Sequence, residues 1–164
     1  MSDATQKLAE TIIQRCTELQ QYVVTAESCT GGLIAGAITD IAGSSAALEC
    51  GFVTYSNESK NEMLGVPAEV IDKHGAVSEE VARHMVLGAL ARSNANFGVA
   101  VTGVAGPGGG SAEKPVGLVY IAVASKELQR VVMSRELFPD NGRAFIREAT
   151  VQRALTMLLD QLDA

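Results

Sequence analysis

The stretch Thr25-Ala-Glu-Ser28-Cys29-Thr-Gly-Gly32 joins a short apolar run, residues 22–26, to a helical run that begins at Leu33. This pattern predicts that Ser28 and Cys29 lie at a strand-to-helix turn, where two glycines free the backbone beside them. Amide N–H groups in the first turn of a helix lack intrahelical partners and carry the positive end of the helix dipole. They therefore stabilise an oxyanion or a phosphate. A turn of this kind can hold a nucleophile and an anion site together.

Composition limits the classes of protein to consider. With 164 residues, of which 47% are hydrophobic, the chain can bury one good core, so we expect a single domain over residues 1–164. A net charge of −6 gives no general attraction to nucleic acid or to an anionic membrane, so any phosphate binding must be local. The first ten residues lack the pattern of a leader, and no apolar run reaches the roughly 20 residues that a membrane span needs. We therefore expect a cytoplasmic protein without membrane or nucleic-acid partners.

Cysteine and histidine usage gives no sign of a disulfide framework or a metal site. Three cysteines are an odd number, and none is in C-x-x-C spacing. The two histidines, His74 and His84, lie ten residues apart without other ligand types in a metal-binding pattern. We expect neither a metal nor a cofactor. The apolar composition of so small a domain favours a homo-oligomer.

Helical and extended patterns alternate along the chain. The predicted helices cover residues 4–20, 33–41, a segment that begins at Asn57, 67–73, 78–93 (capped by Ser78) and 142–162. The predicted strands cover residues 22–26, 49–56, 97–101, 115–124 and 129–138, the last two forming an antiparallel hairpin. This order predicts a three-layer α/β/α sandwich with a mixed parallel and antiparallel sheet.

Ser28 and Lys60 are the candidate catalytic pair. A serine in a strand-to-helix turn has an ordinary explanation as an N-cap. Lys60, however, falls in the first turn of the helix that Asn57 is expected to cap, where the dipole disfavours a cation. That field, together with partial burial, lowers the pKa of a lysine and supplies the neutral amine that a general base requires. A Ser-Lys pair is one known way to activate a serine, although one lysine at a helix start can also be simply exposed.

Three neighbouring residues have both a functional and an ordinary interpretation. Cys29 is a rival nucleophile, but it has no histidine beside it and fits a small buried core position. Tyr55 and Ser45 end segments that flank the turn, so either can relay a proton or orient Lys60. Either can equally be an ordinary strand-end tyrosine or a turn serine.

The segment from Gly103 to Ser111 is rich in glycine and follows a predicted strand. It lacks the G-K-[ST] ending of a P-loop, and a strand follows it where a dinucleotide fingerprint needs a helix. Such a loop still lets the backbone approach a ligand closely, with the Thr102 hydroxyl at its entrance. The alternative is a flexible surface loop. Arg143 either holds a phosphate by a charge-assisted contact or faces solvent.

Six motifs in order give the chain a resemblance to the CinA C-terminal domain family over nearly its whole length. They are Ala26-Glu-Ser-Cys-Thr-Gly-Gly32, Ala42-Gly-Ser-Ser45, Gly51-Phe-Val-Thr-Tyr-Ser-Asn57 with Lys60, Gly75-Ala-Val-Ser78, Thr102-Gly-Val-Ala-Gly-Pro107 with its glycines, and Lys114-Pro-Val-Gly117.

This resemblance implies an activity: hydrolysis of the carboxamide of nicotinamide mononucleotide to nicotinate mononucleotide and ammonia, in pyridine-nucleotide recycling. It implies Ser28 as nucleophile, Lys60 as base, and Tyr55 and Ser45 in support. Backbone N–H groups around Thr30 to Gly32 are expected to stabilise the oxyanion. The residues expected at the substrate are Thr30, Gly31, Gly32, Thr102, Gly103, Gly106 and Arg143.

Two other functions stay open on the sequence. Some relatives that the resemblance brings in lack amidase activity, so a pyridine-nucleotide-binding module without turnover is one alternative. The other is an interaction domain linked to DNA uptake or repair. The acidic balance without a basic stripe argues against direct contact with DNA.

Overall fold

A computed structural model describes residues 1–164. The helices are α1 (Asp3–Leu19), α2 (Leu33–Thr39), α3 (Asn57–Leu64), α4 (Ala68–His74), α5 (Glu79–Ala91) and α6 (Arg143–Leu162). The strands are β1 (Val23–Glu27), β2 (Leu48–Val53), β3 (Phe97–Gly103), β4 (Leu118–Ser125) and β5 (Arg130–Leu137), and a 3-10 turn, Ser44–Ala46, precedes β2. This is the predicted order of helices and strands. No helix combines the length and the apolar character that crossing a bilayer requires.

The five strands form one mixed sheet in the order β2-β1-β3-β4-β5. Strand β1 is parallel to both β2 and β3, whereas β4 and β5 add an antiparallel hairpin, as predicted. The register pairs Glu27 at the end of β1 with Val53 on one side and Val101 on the other, so the three carboxyl ends meet at one edge. Because the chain leaves β1 for β2 on one side and later reaches β3 on the other, this edge is a topological switch point. Ligands of open α/β sheets bind in the crevice at such points.

Helices cover both faces of the sheet, which confirms the three-layer α/β/α prediction. Alternate strand residues face opposite sides. Larger side chains such as Val99 and Ile121 pack in the core with α1, α2 and α6. On the α5 side the strands carry small residues; a Cβ added at Gly98 would lie 3.0 Å from Val86 Cγ2 and 3.1 Å from Leu90 Cγ. The lack of a side chain at Gly98 therefore lets α5 sit close to the sheet.

The segment between β2 and α3 differs from the prediction. Strand β2 ends at Val53, three residues earlier than expected, and the chain turns away to start α3. The N-cap of α3 is Ser56, whose hydroxyl accepts a hydrogen bond from the Ser59 N–H at 3.0 Å. The predicted cap, Asn57, is instead the first helical residue. The Ser78 cap of α5 is confirmed, since its hydroxyl accepts from the Val81 N–H at 3.3 Å.

Candidate active site

A cleft opens at the carboxyl edge of the parallel strands. Ser28 follows β1 directly, Tyr55 follows β2, and Thr102 lies near the end of β3. The cleft has a volume of about 270 Å³ and includes no carboxylate in its lining, although the whole chain carries a net charge of −6. The lining residues are Ser28, Cys29, Tyr55, Lys60, Ala76, Val77, Thr102, Gly103, Val104, Ala105, Gly106, Gly108, Gly109 and Arg143.

Lys60 and Ser28 meet at the base of this cleft. Lys60 is only 1% exposed, and its Nζ lies 3.0 Å from Ser28 Oγ. The same Nζ lies 2.7 Å from the carbonyl oxygen of Thr54 and 3.4 Å from that of Tyr55. A neutral amine has two hydrogens and one lone pair. With the two carbonyls accepting the hydrogens, the lone pair faces the Ser28 hydroxyl, which is the arrangement a general base needs.

Burial sets the protonation of this lysine. Desolvation lowers the pKa of Lys60 from 10.5 to about 8, and no carboxylate bonds to Nζ to hold its positive charge. At that pKa about one tenth of the lysine is neutral at pH 7, so the base form is populated under ordinary conditions. The cause is removal from water, which the sequence-based interpretation had combined with the helix dipole. α3 carries the lysine under the turn that holds Ser28.

Cys29 lies beside the pair but is not activated. Its side chain is buried, and desolvation raises the pKa of the thiol to about 11. The thiolate, which is the nucleophilic form of cysteine, is therefore scarce at neutral pH. This favours the interpretation of Cys29 as a small core residue.

The first turn of α2 already holds an anion, the fully buried carboxylate of Glu27. It accepts hydrogen bonds from the Thr30 hydroxyl at 2.6 Å and from the N–H groups of Gly32, Ile34 and Ala35 at 3.1, 3.0 and 2.9 Å. The prediction that the Gly32 amide binds an oxyanion or phosphate is therefore wrong. The chain supplies its own anion at this helix start, and Glu27 stiffens the turn that presents Ser28.

The remaining amides of the turn differ in whether they have an acceptor. The Gly31 N–H, which was also expected to contact the substrate, donates to the Ser28 carbonyl at 3.0 Å. The N–H groups of Cys29 and Thr30 donate to no other residue, and both residues are buried. Buried N–H groups without a partner are rare in folded proteins. The unpartnered amide donors beside Ser28 are thus those of Cys29 and Thr30.

Arg143 and Tyr55 form the outer wall of the cleft. Arg143 Nη2 donates to the Tyr55 hydroxyl and Nη1 donates to the Gly106 carbonyl, each at 2.8 Å. Tyr55 is 60% exposed, and its hydroxyl bonds to Arg143, whereas only its backbone carbonyl contacts Lys60. Thr102 lines the cleft, and its hydroxyl donates to the Ala76 carbonyl at 2.8 Å, fixing the opposite wall.

The sequence pattern of the family described as the CinA C-terminal domain matches residues 5–162. The chain belongs to the CinA C-terminal domain family. The nicotinamide-nucleotide amidohydrolase PncC of Escherichia coli K12 is 48% identical over 151 residues, which cover 92% of this chain and 91% of that protein. The PncC of Enterobacter agglomerans is 51% identical over 137 residues, covering 84% and 83%.

This CinA domain also matches parts of longer proteins and a crystal structure. The chain spans only 38% of the CinA-like protein of Akkermansia muciniphila, to which it is 46% identical, and 36% of a relative from Caldicellulosiruptor bescii. The crystal structure of the competence/damage inducible protein CihA from Agrobacterium tumefaciens superposes with a TM-score of 0.97 at 54% identity, covering 100% of this chain and 98% of that one. This confirms the fold.

Ser45, which the family resemblance placed beside the catalytic pair, lies elsewhere in this CinA domain. It belongs to the exposed 3-10 turn before β2, and β2 begins opposite Val23, the first residue of β1. Ser28 follows the last residue of β1, so the length of this five-residue strand, about 16 Å, separates the two ends. Within one chain, Ser45 does not reach the pair, because the α2 crossover returns the chain to the opposite edge of the sheet.

Sequence reasoning missed two charged residues of the site. Glu27 could have been found as the single charged residue of an otherwise uncharged buried strand, directly before the turn. Arg147 donates from Nε to the Cys29 carbonyl at 3.2 Å and from Nη2 to the Thr30 carbonyl at 2.9 Å. It follows Arg143 by four residues in a helix, a spacing that places both arginines on one face.

Proposed function

We propose that this chain hydrolyses the carboxamide of nicotinamide mononucleotide to nicotinate mononucleotide and ammonia, with Ser28 as the nucleophile and Lys60 as its base. The observation that carries the proposal is the 3.0 Å contact between Lys60 Nζ and Ser28 Oγ at the base of a cleft without carboxylates. The names of the PncC relatives, which match this chain over most of its length, support the choice of substrate. Such a reaction recycles pyridine nucleotides.

The reaction follows from the groups at the base of the cleft. Neutral Lys60 accepts the Ser28 proton as Oγ bonds to the amide carbon, and the carbonyl electrons move to oxygen. The free N–H groups of Cys29 and Thr30 stabilise that oxyanion; losing one such donor typically costs about 10²- to 10³-fold in rate. Protonated Lys60 then gives its proton to the amide nitrogen, the C–N bond breaks, and ammonia leaves. Water, deprotonated by Lys60, resolves the ester on Ser28 and releases the carboxylate.

The outer part of the cleft suits the phosphate of the substrate. Between residues 105 and 110, no backbone N–H donates to an acceptor of the chain, so these amides are available to a ligand. The Arg143 guanidinium lies against this loop, bonded to the Gly106 carbonyl. Backbone amides together with one arginine are a usual phosphate site, and no carboxylate lines the cleft to oppose the charge.

The proposed function is tested by measuring ammonia released from nicotinamide, its riboside, its mononucleotide and the adenine dinucleotide. We expect the highest kcat/KM with the mononucleotide. Tight binding of the mononucleotide without ammonia from any of the four would contradict turnover and favour the binding-module alternative. Salt-dependent retention on DNA would instead favour the interaction domain.

Replacing Arg143 with methionine is expected to impair the mononucleotide selectively. Loss of a charge-assisted contact to phosphate should raise KM by about 10- to 100-fold, since hydrogen bonds to charged groups contribute about 1.5–3 kcal/mol. The riboside has no phosphate, so its kcat/KM should stay within about twofold. The Tyr55→Phe variant is the matched control, because it removes only the hydroxyl that Arg143 contacts. Equal losses with both substrates would show that Arg143 does not bind the phosphate.

A further inference from the structure

Arg147 is a half-buried cation at the back of the Ser28 turn that pairs with no carboxylate. It lies on α6 behind the turn, and both of its hydrogen bonds go to backbone carbonyls, those of Cys29 and Thr30. An arginine that uses its planar fork on two carbonyls fixes the orientation of two peptide planes. These two peptide planes are connected to the free amides beside Ser28, those of Cys29 and Thr30.

The first connection runs through one peptide unit. Arg147 Nε donates to the Cys29 carbonyl at 3.2 Å. That carbonyl shares its planar, resonance-coupled peptide unit with the N–H of Thr30. A positive donor on the oxygen draws electrons through the unit, so the Thr30 N–H becomes a stronger hydrogen-bond donor.

The second connection runs through two peptide units. Arg147 Nη2 donates to the Thr30 carbonyl at 2.9 Å, and the N–H of the same unit, that of Gly31, donates to the Ser28 carbonyl at 3.0 Å. The Ser28 carbonyl shares its unit with the N–H of Cys29. A hydrogen-bonded chain of this kind polarises each member in turn. Each of the two hydrogen bonds donated by the Arg147 guanidinium is thus connected, through peptide units, to one of the two unpartnered amides.

We propose that Arg147 is a positioning residue that orients and polarises the oxyanion-binding amides of Cys29 and Thr30. This inference rests on the proposed function, because it assigns Arg147 to the transition state of that amide hydrolysis. Arg147 does not touch the substrate. Its effect is therefore on kcat and on the discrimination between carbonyl oxygen and other acceptor atoms, with little effect on substrate affinity.

The test compares Arg147→Met and Arg147→Lys with the unmodified chain on nicotinamide mononucleotide and thionicotinamide mononucleotide, both followed by ammonia release. Sulfur accepts hydrogen bonds weakly, so stabilisation by the two amides favours the oxygen substrate over the thioamide. For Arg147→Met we expect kcat on the amide to fall about tenfold or more with KM within about twofold. The ratio of amide to thioamide kcat should fall by a similar factor. Lysine keeps the charge but cannot donate to both carbonyls in the same geometry, so the ratio of amide to thioamide kcat for Arg147→Lys should be intermediate.

Arg153→Met is the matched control, because Arg153 is also on α6 but pairs with Glu136 at 2.8 Å, outside the cleft. It should leave both rates unchanged. A role of Arg147 as a simple tether between α6 and the turn would lower both rates equally, and an unchanged ratio would overturn the inference. If Arg147→Met does not fold, the ratio measured for Arg147→Lys decides. Absence of ammonia from the unmodified chain would overturn the proposed function and this inference together.

Discussion

Replacement of Lys60 by methionine is expected to lower kcat for ammonia release by about 10²- to 10⁴-fold, the usual contribution of a general base. Lys60 Nζ is the only group within hydrogen-bonding distance of Ser28 Oγ, so the hydroxyl is left without a proton acceptor. Methionine has nearly the length of the lysine stem and keeps the buried site filled. The loss should therefore appear in kcat at unchanged fold, as read from the far-ultraviolet circular dichroism.

The pH dependence of activity should follow the protonation of Lys60. Because burial lowers the pKa of Lys60 to about 8, kcat/KM of the unmodified chain should rise about tenfold per pH unit below pH 8 and level off above it. The residual activity of Lys60→Met should lack this rise. A flat profile for the unmodified chain between pH 6 and 8 would contradict Lys60 as the base.

Stability gives a second, independent measurement of the same lysine. The folded pKa is lower than the unfolded one, so between about pH 8 and 10.5 the unfolded chain binds more protons and stability rises with pH. Lowering a pKa from 10.5 to about 8 corresponds to about 3 kcal/mol, a cost fully present below pH 8 and relieved as the pH approaches 10.5. The free energy of unfolding of the unmodified chain should therefore gain about 3 kcal/mol relative to Lys60→Met over this range.

Lys126→Met provides the control for both measurements. Lys126 follows β4 near the N-terminal end of β3, where its exposed ammonium donates to the Ser93 carbonyl at 2.9 Å. Removing it should alter neither kcat nor the pH dependence of unfolding. If Lys126→Met and Lys60→Met had the same difference from the unmodified chain at every pH, burial of Lys60 could not be the cause.

The elements of the fold could be predicted because their signals are local. Apolar periodicity and the turn residues decide each helix and strand, and the order of elements then limits the layers. The cap of α3 was predicted one residue late, at Asn57 instead of Ser56, because serine and asparagine are both favoured caps and the local sequence does not choose between neighbours. The packing of α3 under the turn buries Lys60. A lysine in a first helical turn was visible in the sequence, but its removal from water was not.

The site was predicted less completely because the three-dimensional fold decides which acceptor each backbone N–H donor meets. The turn was expected to offer its Gly31 and Gly32 amides to a ligand, yet the Ser28 carbonyl and the Glu27 carboxylate take them. A strand-end glutamate carries no local signal that it will fold back onto the next helix. Ser45 shows the same limit, since the direction of a crossover helix, rather than distance along the chain, decides which edge of the sheet a residue reaches.

Ser28→Ala is expected to abolish turnover, with a loss of about 10⁴-fold or more, because burial raises the pKa of Cys29, the rival nucleophile in the cleft, to about 11 and keeps its thiol protonated. Binding of nicotinamide mononucleotide should stay within about threefold, since a single hydroxyl contributes little to ground-state affinity. Ser125→Ala is the matched control: Ser125 is also buried, but β4 places it opposite Phe97, at the other end of the sheet. It should retain full activity.

The strongest evidence for this role of Ser28 would be the ester itself. Acid quenching during turnover should leave a fraction of the unmodified chain heavier by the mass of the substrate less ammonia, on the peptide that contains Ser28. Cys29→Ala should form the same adduct at a normal rate, because burial raises the pKa of its thiol to about 11 and keeps it protonated. If the adduct were instead found on Cys29, or if Cys29→Ala were inactive while Ser28→Ala turned over, the nucleophile would be the thiol. The contact between Lys60 and Ser28 would then serve only to hold the turn against α3.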